Sequence, residues 1–138
     1  VEELFSTADI AIFAAAVADY TPDIMQEQKI KKSNTDWNIN LKRTKDILQE
    51  MSKQKKNHQF VIGFALETEN ELANAHDKLI KKNLDMIVLN SLRDKGAGFQ
   101  HNTNKITIID KATNSYNFEL KHKDEVAKDI IDKIIELS

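Results

Sequence analysis

Apolar residues along this chain come in short continuous runs, separated by stretches with helical periodicity. Residues 8–18, ADIAIFAAAVA, form one such run, and Ile10, Ile12 and Phe13 within it suit a buried parallel strand. The run stops at Asp19-Tyr20-Thr21-Pro22, where proline ends regular structure. Two further runs, FVIGFA at 60–65 and residues 86–89 ending at Asn90, read as central strands. Between them, residues 69–82 place Leu72, Ala73, Ala75 and Leu79 on a stripe at helical spacing. Asn83 then suits the left-handed residue after a helix, with Leu84 as the apolar residue beyond it.

Alternation of polar and apolar positions marks the remaining strands. Residues 29–32 (KIKK) and 37–41 (WNINL) flank the turn-like Ser33-Asn34-Thr35-Asp36. This predicts a β-hairpin with one solvated face, an arm spanning 28–42. Thr44 is expected to cap a helix reaching about Lys55, with Asp46 in its first turn. Residues 93–104, with Gly96 and Gly98, read as a polar loop. Residues 105–110 and 116–120 predict a second hairpin around 111–114. Residues 124–137 predict an amphipathic helix with Val126, Ala127, Ile130, Ile131, Ile134 and Ile135 inward. Strands alternate with helices before a closing hairpin and helix. The expected fold is therefore α/β: a Rossmann-like parallel sheet flanked by helices, with a protruding hairpin arm and a C-terminal hairpin plus helix. No repeat or linker divides the chain, so one compact unit is expected.

Composition narrows the classes. Of 138 residues, 41% are hydrophobic and 30% charged, which places the chain among globular rather than disordered sequences. The net charge of -2, with both signs mixed along the chain, argues against a general nucleic-acid binder. Absence of cysteine excludes disulfides and thiolate zinc sites. No run approaches the roughly 20 apolar residues of a membrane span, and no secretory signal pattern is present. A cytoplasmic protein with no membrane or nucleic-acid partner is expected. The chain opens Val-Glu-Glu-Leu-Phe, in what reads as the end of a helix, so a piece of a longer domain is expected.

Ligands of open α/β sheets bind beyond the carboxyl ends of the strands. Three such ends deliver Ala18-Asp19-Tyr20, then Phe64, Glu67 and Thr68, then Asn90 and Ser91. Lys29, Lys31 and Lys32 form the densest cationic patch near that edge. They suit a phosphate or a developing oxyanion, and equally an edge strand protected from aggregation. Lys78 and Lys82 share one helical face, either beside a polyphosphate or simply in solvent. The free N–H groups of the helix near Thr44 suit an anion that Lys45 would reinforce and Asp46 would oppose. His58, His76, His101 and His122 match no metal-ligand spacing, so no metal site is expected. Gly96-Ala97-Gly98-Phe99 lacks the third glycine and following helix of a dinucleotide fingerprint, and there is no Walker motif.

Taken in order, the strings Ala14-Ala15-Ala16-Val17-Ala18-Asp19-Tyr20, Lys29-Ile30-Lys31-Lys32, Gly63-Phe64-Ala65-Leu66-Glu67-Thr68, Lys78 to Lys82 and Asn90 resemble phosphopantothenate–cysteine ligase. In many bacteria that enzyme is the carboxyl-terminal part of a bifunctional coenzyme A biosynthesis protein. An FMN-dependent decarboxylase forms the amino-terminal part there. The resemblance spans essentially the whole chain. It implies CTP-dependent joining of 4′-phosphopantothenate to cysteine through an acyl-cytidylate, with Mg2+ on the triphosphate. It assigns Ala14, Ala15, Ala16 and Asp19 to the nucleotide site and makes Lys29 both a nucleotide contact and the catalytic lysine. Lys45, Asp46, Ile47 and Leu48 would line the cytidine pocket, Phe64 would pack near the nucleotide, and Lys78 and Lys82 would meet its phosphates. Asn90 is a substrate-site candidate. The 28–42 hairpin would build a homodimer and close over the site. The family pattern departs at Thr44-Lys45-Asp46, where many members have Asn-Pro-Asp, and at Leu66, where alanine is frequent. The amino-terminal half of the ligase domain is outside this sequence, so little or no activity is expected of these residues alone. The alternatives are a non-catalytic nucleotide-binding module and a dimerisation scaffold.

Overall fold

The computed structural model describes residues 1–25, 28–29, 36–67, 69–91 and 101–138. A five-stranded sheet organises them. Its strands are β1 (Ile10–Phe13), β4 (Phe60–Glu67), β5 (Met86–Ser91), β7 (Ile106–Asp110) and β8 (Ser115–Asn117), in the spatial order β1-β4-β5-β7-β8. β1 and β5 both pair in parallel with β4, and β7 and β8 extend the sheet antiparallel. Two small ribbons complete the strands: β2 (Tyr20–Pro22) with β3 (Leu41–Arg43), and β6 (Thr103–Asn104) with β9 (Lys121–His122). The helices are α1 (Glu2–Phe5), α2 (Ile47–Lys53), α3 (Glu71–Lys81) and α4 (Lys123–Leu137). The expected α/β sheet with a parallel centre is what forms.

Strand alternation divides the core into two layers. Val61, Ala65, Ile87 and Leu89 face α1, α2 and α3, where they meet Phe5, Met51, Ala75 and Leu79. Ile62, Met86, Val88 and Ile108 face α4 and meet Val126, Ile130 and Ile134. Each such side chain, fully withdrawn from water, favours folding by about 1.5–3 kcal/mol of transfer free energy. Gly63 lies on the α2/α3 side, where a methyl group would sit 2.8 Å from Leu84 Cδ1 and 3.1 Å from Leu48 Cδ2. The missing side chain lets both leucines close onto the strand.

The end of α3 follows the sequence reading. Asn83 adopts a left-handed φ of 48°. The Asn83 N–H donates to the Ile80 carbonyl and the Leu84 N–H to the Leu79 carbonyl, the paired bonds of a Schellman motif.

Other boundaries differ from expectation. The strand in residues 8–18 is short, and β1 lies at an edge of the sheet among the described residues. Ile10 and Ile12 are each 44% exposed, and residues 14–18 are exposed and carry no strand. One-sided pairing explains this, because the face of β1 opposite Ala11 and Phe13 has little over it. Residues 30–35 of the expected arm lie outside the described residues. The described flanks 28–29 and 36–40 carry no strand, and Leu41–Arg43 pairs instead with Tyr20–Pro22.

Asp46 rather than Thr44 caps the second helix, its carboxylate accepting from Gln49 N–H at 3.0 Å. Thr44 is held back by the ribbon: its hydroxyl donates to the Ala18 carbonyl at 2.5 Å and its N–H to the Asp19 carbonyl. In α3, Leu72 and Ala73 face solvent while Ala75 and Leu79 are buried. On α4, Ile131 (45% exposed), Ile135 (69%) and Ala127 point outward. They lie about 100° around the helix from Val126, Ile130 and Ile134, beyond the arc that a flat sheet covers. Within residues 93–104, Thr103–Asn104 forms a strand, whereas 93–100 lie outside the described residues. The second hairpin is shorter than expected, with strands at Ile106–Asp110 and Ser115–Asn117.

Gly63→Ala should destabilise the fold by about 1–3 kcal/mol, because Leu84 and Leu48 must move within a filled layer. Urea denaturation monitored by circular dichroism reads this directly; unchanged stability would mean that α2 and α3 do not need the close approach.

Candidate functional site

Carboxyl ends of β1, β4 and β5 point the same way, since the three strands are parallel. The helix that follows β4, α3, starts at that end and runs back. Side chains on a helix lean toward its amino terminus, so long residues on α3 reach toward the strand ends. Lys78 does so, its ammonium donating to the Phe64 carbonyl at 3.1 Å. Lys82, one turn later, pairs with Asp46 at 2.7 Å. Asp46 in turn caps α2, which also begins on this side of the molecule. A four-residue spacing of two cations on one helix thus becomes a bridge between α3, α2 and β4.

The charges of these groups act on one another. Burial and then the neighbouring Lys82 push the Lys78 pKa below its ordinary value, while Glu67, Asp46 and Asp19 oppose that fall. Burial alone would raise the Asp46 pKa. The hydrogen bonds from Lys82 and Gln49 N–H and the charges of Lys82 and Lys78 outweigh it and hold that carboxyl below its usual value. Lys78, Lys82, Asp46, Asp19 and Glu67 therefore share one charged region at the strand ends. Two ammonium groups, the amino end of α2 and exposed carboxylates together suit an anionic ligand that can exchange places with the carboxylates.

The remaining expected residues fall in different places. Ala14, Ala15 and Ala16 are exposed in the segment after β1, and Asp19 is exposed with its carbonyl tied to Thr44. Lys45 is exposed directly before the cap of α2. Ile47 and Leu48 are half-buried and pack into the α2/α3 core, so they support the site from below as much as they line it. Phe64 turns its ring to the other face of the sheet, into the layer beneath α4. Only its carbonyl meets Lys78. Asn90 lies on that same face, its Oδ1 accepting from Asn104 Nδ2 at 2.9 Å. Lys29 is exposed, and no hydrogen bond or ion pair joins it to the charged region among the described residues. Lys31 and Lys32 lie outside the described residues. Among the described residues no group of three or more His, Asp or Glu side chains is arranged to hold a metal ion, and no helix is long and apolar enough to cross a membrane.

Sequence reasoning missed Asn74 altogether and gave Glu67 no role. Asn74 Nδ2 donates to Glu67 Oε2 at 3.1 Å and to the Glu69 carbonyl at 3.0 Å. The available signal was spacing, since Asn74, Lys78 and Lys82 follow one another at four-residue steps on α3.

The family model of the DNA/pantothenate metabolism flavoprotein C-terminal domain matches residues 1–137. The chain belongs to that family. It is 40% identical to the coenzyme A biosynthesis bifunctional protein CoaBC of Bacillus subtilis over 98% of the chain and 33% of that protein. It is 58% identical to a cysteine/cysteine sulfinic acid decarboxylase of an unknown prokaryotic organism, over 98% of the chain and 38% of that protein. The crystal structure of the C-terminal domain of a CoaBC protein superposes with a TM-score of 0.75 at 33% identity, covering 96% of the chain and 56% of that structure. The chain thus spans about a third of the length of the curated relatives it matches, 38% and 33% for these two. The solved C-terminal domain of the CoaBC protein shares the α/β fold on which the Lys78–Lys82 region sits here.

Asp46→Ala should cost about 1 kcal/mol at pH 7, the usual worth of a helix cap, with its half-exposed ion pair adding little. Because the folded-state pKa of Asp46 is lowered, its contribution is complete well above 3.8 and is lost as pH falls through the lowered value. The stability gap between wild type and variant should therefore narrow in acid; a gap independent of pH between 7 and 3 would show that the carboxylate charge is irrelevant.

Proposed function

We propose that the chain is the carboxyl-terminal part of a phosphopantothenate–cysteine ligase acting in coenzyme A synthesis. The observation that carries this reading is the convergence of Lys78, Lys82, Asp46 and Asp19 at the ends of the parallel strands. Family membership and the likeness to CoaBC support it, as does the ordered set of sequence strings from Ala14 to Asn90. On this reading CTP is the activating substrate. The carboxylate of 4′-phosphopantothenate attacks its α-phosphorus, a P–O bond forms, and pyrophosphate leaves. The amine of cysteine then attacks the acyl carbon, loses a proton to solvent, and CMP departs with the electrons of the acyl–oxygen bond. Activation is required because a carboxylate has no good leaving group, whereas CMP is one.

Roles follow from placement and resemblance together. Lys78 and Lys82 face the triphosphate. For Lys82 this requires the phosphate to share or replace the Asp46 carboxylate, so binding would be coupled to the start of α2. Lys45 and the amino end of α2 lie beside the base, with Ile47 and Leu48 behind them. Phe64 and Asn90 serve from the other side of the strand tips. Lys29, on the arm, stabilises charge during acyl transfer. Magnesium would ride on the triphosphate oxygens, which suits an ion that keeps phosphate and water ligands rather than a protein cage. The 28–42 arm is proposed to join two copies.

The test is a turnover assay with CTP, 4′-phosphopantothenate and cysteine, reading pyrophosphate and the amide product. The natural polypeptide should prefer CTP to ATP, and Lys29→Gln should lose about 10²- to 10³-fold in acyl transfer. The isolated 138 residues should make little product. Carbon dioxide release from cysteine or cysteine sulfinic acid by these residues, without pyrophosphate release, would overturn the reading in favour of the activity named for the decarboxylase relative.

A further inference from the structure

Glu67 closes β4 on the face covered by α3, in line with Val61, Gly63 and Ala65. Asn74 holds its carboxylate from α3 and also holds the neighbouring Glu69 carbonyl. Lys78, one turn further along the same helix, grips the same strand through the Phe64 carbonyl. Two side chains a turn apart on α3 therefore fasten the end of β4, one through a carboxylate and one through the main chain. The Lys78 ammonium carries three N–H donors, and the carbonyl uses one of them.

The groups that act on Lys78 come from each element around it: Lys82 from α3 itself, Glu67 from β4, Asp46 from the cap of α2, and Asp19 from the segment between β1 and β2. Asp46 already pairs with Lys82 at 2.7 Å. Asp19 is exposed. Asp46 is held by Lys82, a cation that itself acts against the Lys78 charge, whereas Glu67 is held by Asn74, a neutral side chain one turn from Lys78 on the same helix.

We propose that Glu67, anchored by Asn74, is a positioning residue that steadies the Lys78 ammonium at the end of β4 for the phosphates of the nucleotide. The proposal rests on the ligase reading and deepens it. Glu67 acts through Lys78 and touches no substrate in this scheme. Its charge opposes burial and Lys82, which both favour the neutral amine. Removing that charge lets the Lys78 pKa fall further, so phosphate affinity is lost at a lower pH.

Glu67→Gln isolates the effect, because glutamine still accepts the Asn74 hydrogen bond but has no charge. The measurement is the titration of Lys78 by NMR with carbon-13-labelled lysine in the natural polypeptide, assigned with Lys78→Arg. CTP affinity by calorimetry from pH 7 to pH 10 accompanies it. Glu67→Gln should lower the Lys78 midpoint by about half a unit or more, roughly threefold in proton affinity, and weaken CTP binding toward the upper end of the range. Glu67→Asp should restore most of both, and Asn74→Ala should give an intermediate shift. An unmoved Lys78 midpoint in Glu67→Gln, or a loss of thermal stability with no change in either profile, overturns the proposal. A shifted midpoint with no CTP binding even in the wild type upholds the link between Glu67 and Lys78 and overturns the nucleotide reading instead.

Discussion

Strand β4 is the constraint from which the rest of the structure follows. It has a parallel neighbour on each side and a layer of side chains on each face, so its residues alternate strictly between two environments. At Gly63 the α2/α3 layer comes close enough for Leu48 and Leu84 to meet the strand backbone. That approach brings α2 and α3 together, and ion pairs then tie both ends of α2 to the end of α3 and the residues just after it. Asp46 at the start of α2 meets Lys82. Lys55, just beyond the end of α2, donates to both oxygens of Asp85 at 2.9 Å, and Asp85 also accepts the Val61 N–H. The Lys55–Asp85 pair is nearly buried, so each partner depends on the other to offset its lost hydration. The Asp46–Lys82 pair is more open. A single spacing in the core therefore leaves α2 with one firmly held end, at Lys55, and one end able to exchange partners, at Asp46.

The exchangeable end has a near-balance of charge. Lys78 and Lys82 stand among Asp46, Glu67 and Asp19, which explains why two like charges four residues apart on α3 are tolerated. A polyphosphate arriving there would not meet a bare cationic patch. It would compete with carboxylates already in place, and the gain would be the difference between the two sets of contacts. Such exchange tunes specificity more than it adds affinity, and it is screened by salt where the groups are exposed.

Much of the fold was legible because the central strands announce themselves. FVIGFA and the run at 86–89 are continuous and apolar, as two-sided burial demands, and both are strands. Asn83-Leu84 correctly marked the end of α3, because so few residues accept a left-handed turn. Residues 8–18 were equally apolar but gave only a four-residue edge strand, since composition does not reveal how many neighbours a strand has. On α4 the apolar stripe was wider than the sheet, and periodicity could not say which edge of it stays wet. Thr44 and Asp46 are both good caps; the choice was made by the β2–β3 ribbon, a contact between residues far apart in sequence. Spacing put Lys78 and Lys82 on one helical face but left solvent and polyphosphate both open, and only the family resemblance chose between them. Asn74 did not, because its partners lie across a turn on the strand before it, and no local pattern encodes that reach.

The placement of Phe64 gives the sharpest geometric consequence. Alternation puts its ring with Phe60 and Ile62 beneath the α4 side, while its carbonyl serves Lys78 on the α3 side. Asn90 shares the ring's side of the sheet. No ligand lying wholly against one face meets Lys78, Phe64 and Asn90 together. On the ligase reading, the reacting molecules must therefore cross the carboxyl tips of β4 and β5, with phosphates toward α3 and the remaining groups toward Phe64 and Asn90. Two substrates meeting end to end across a strand tip satisfy that requirement. A nucleotide lying flat along the α3 face would not.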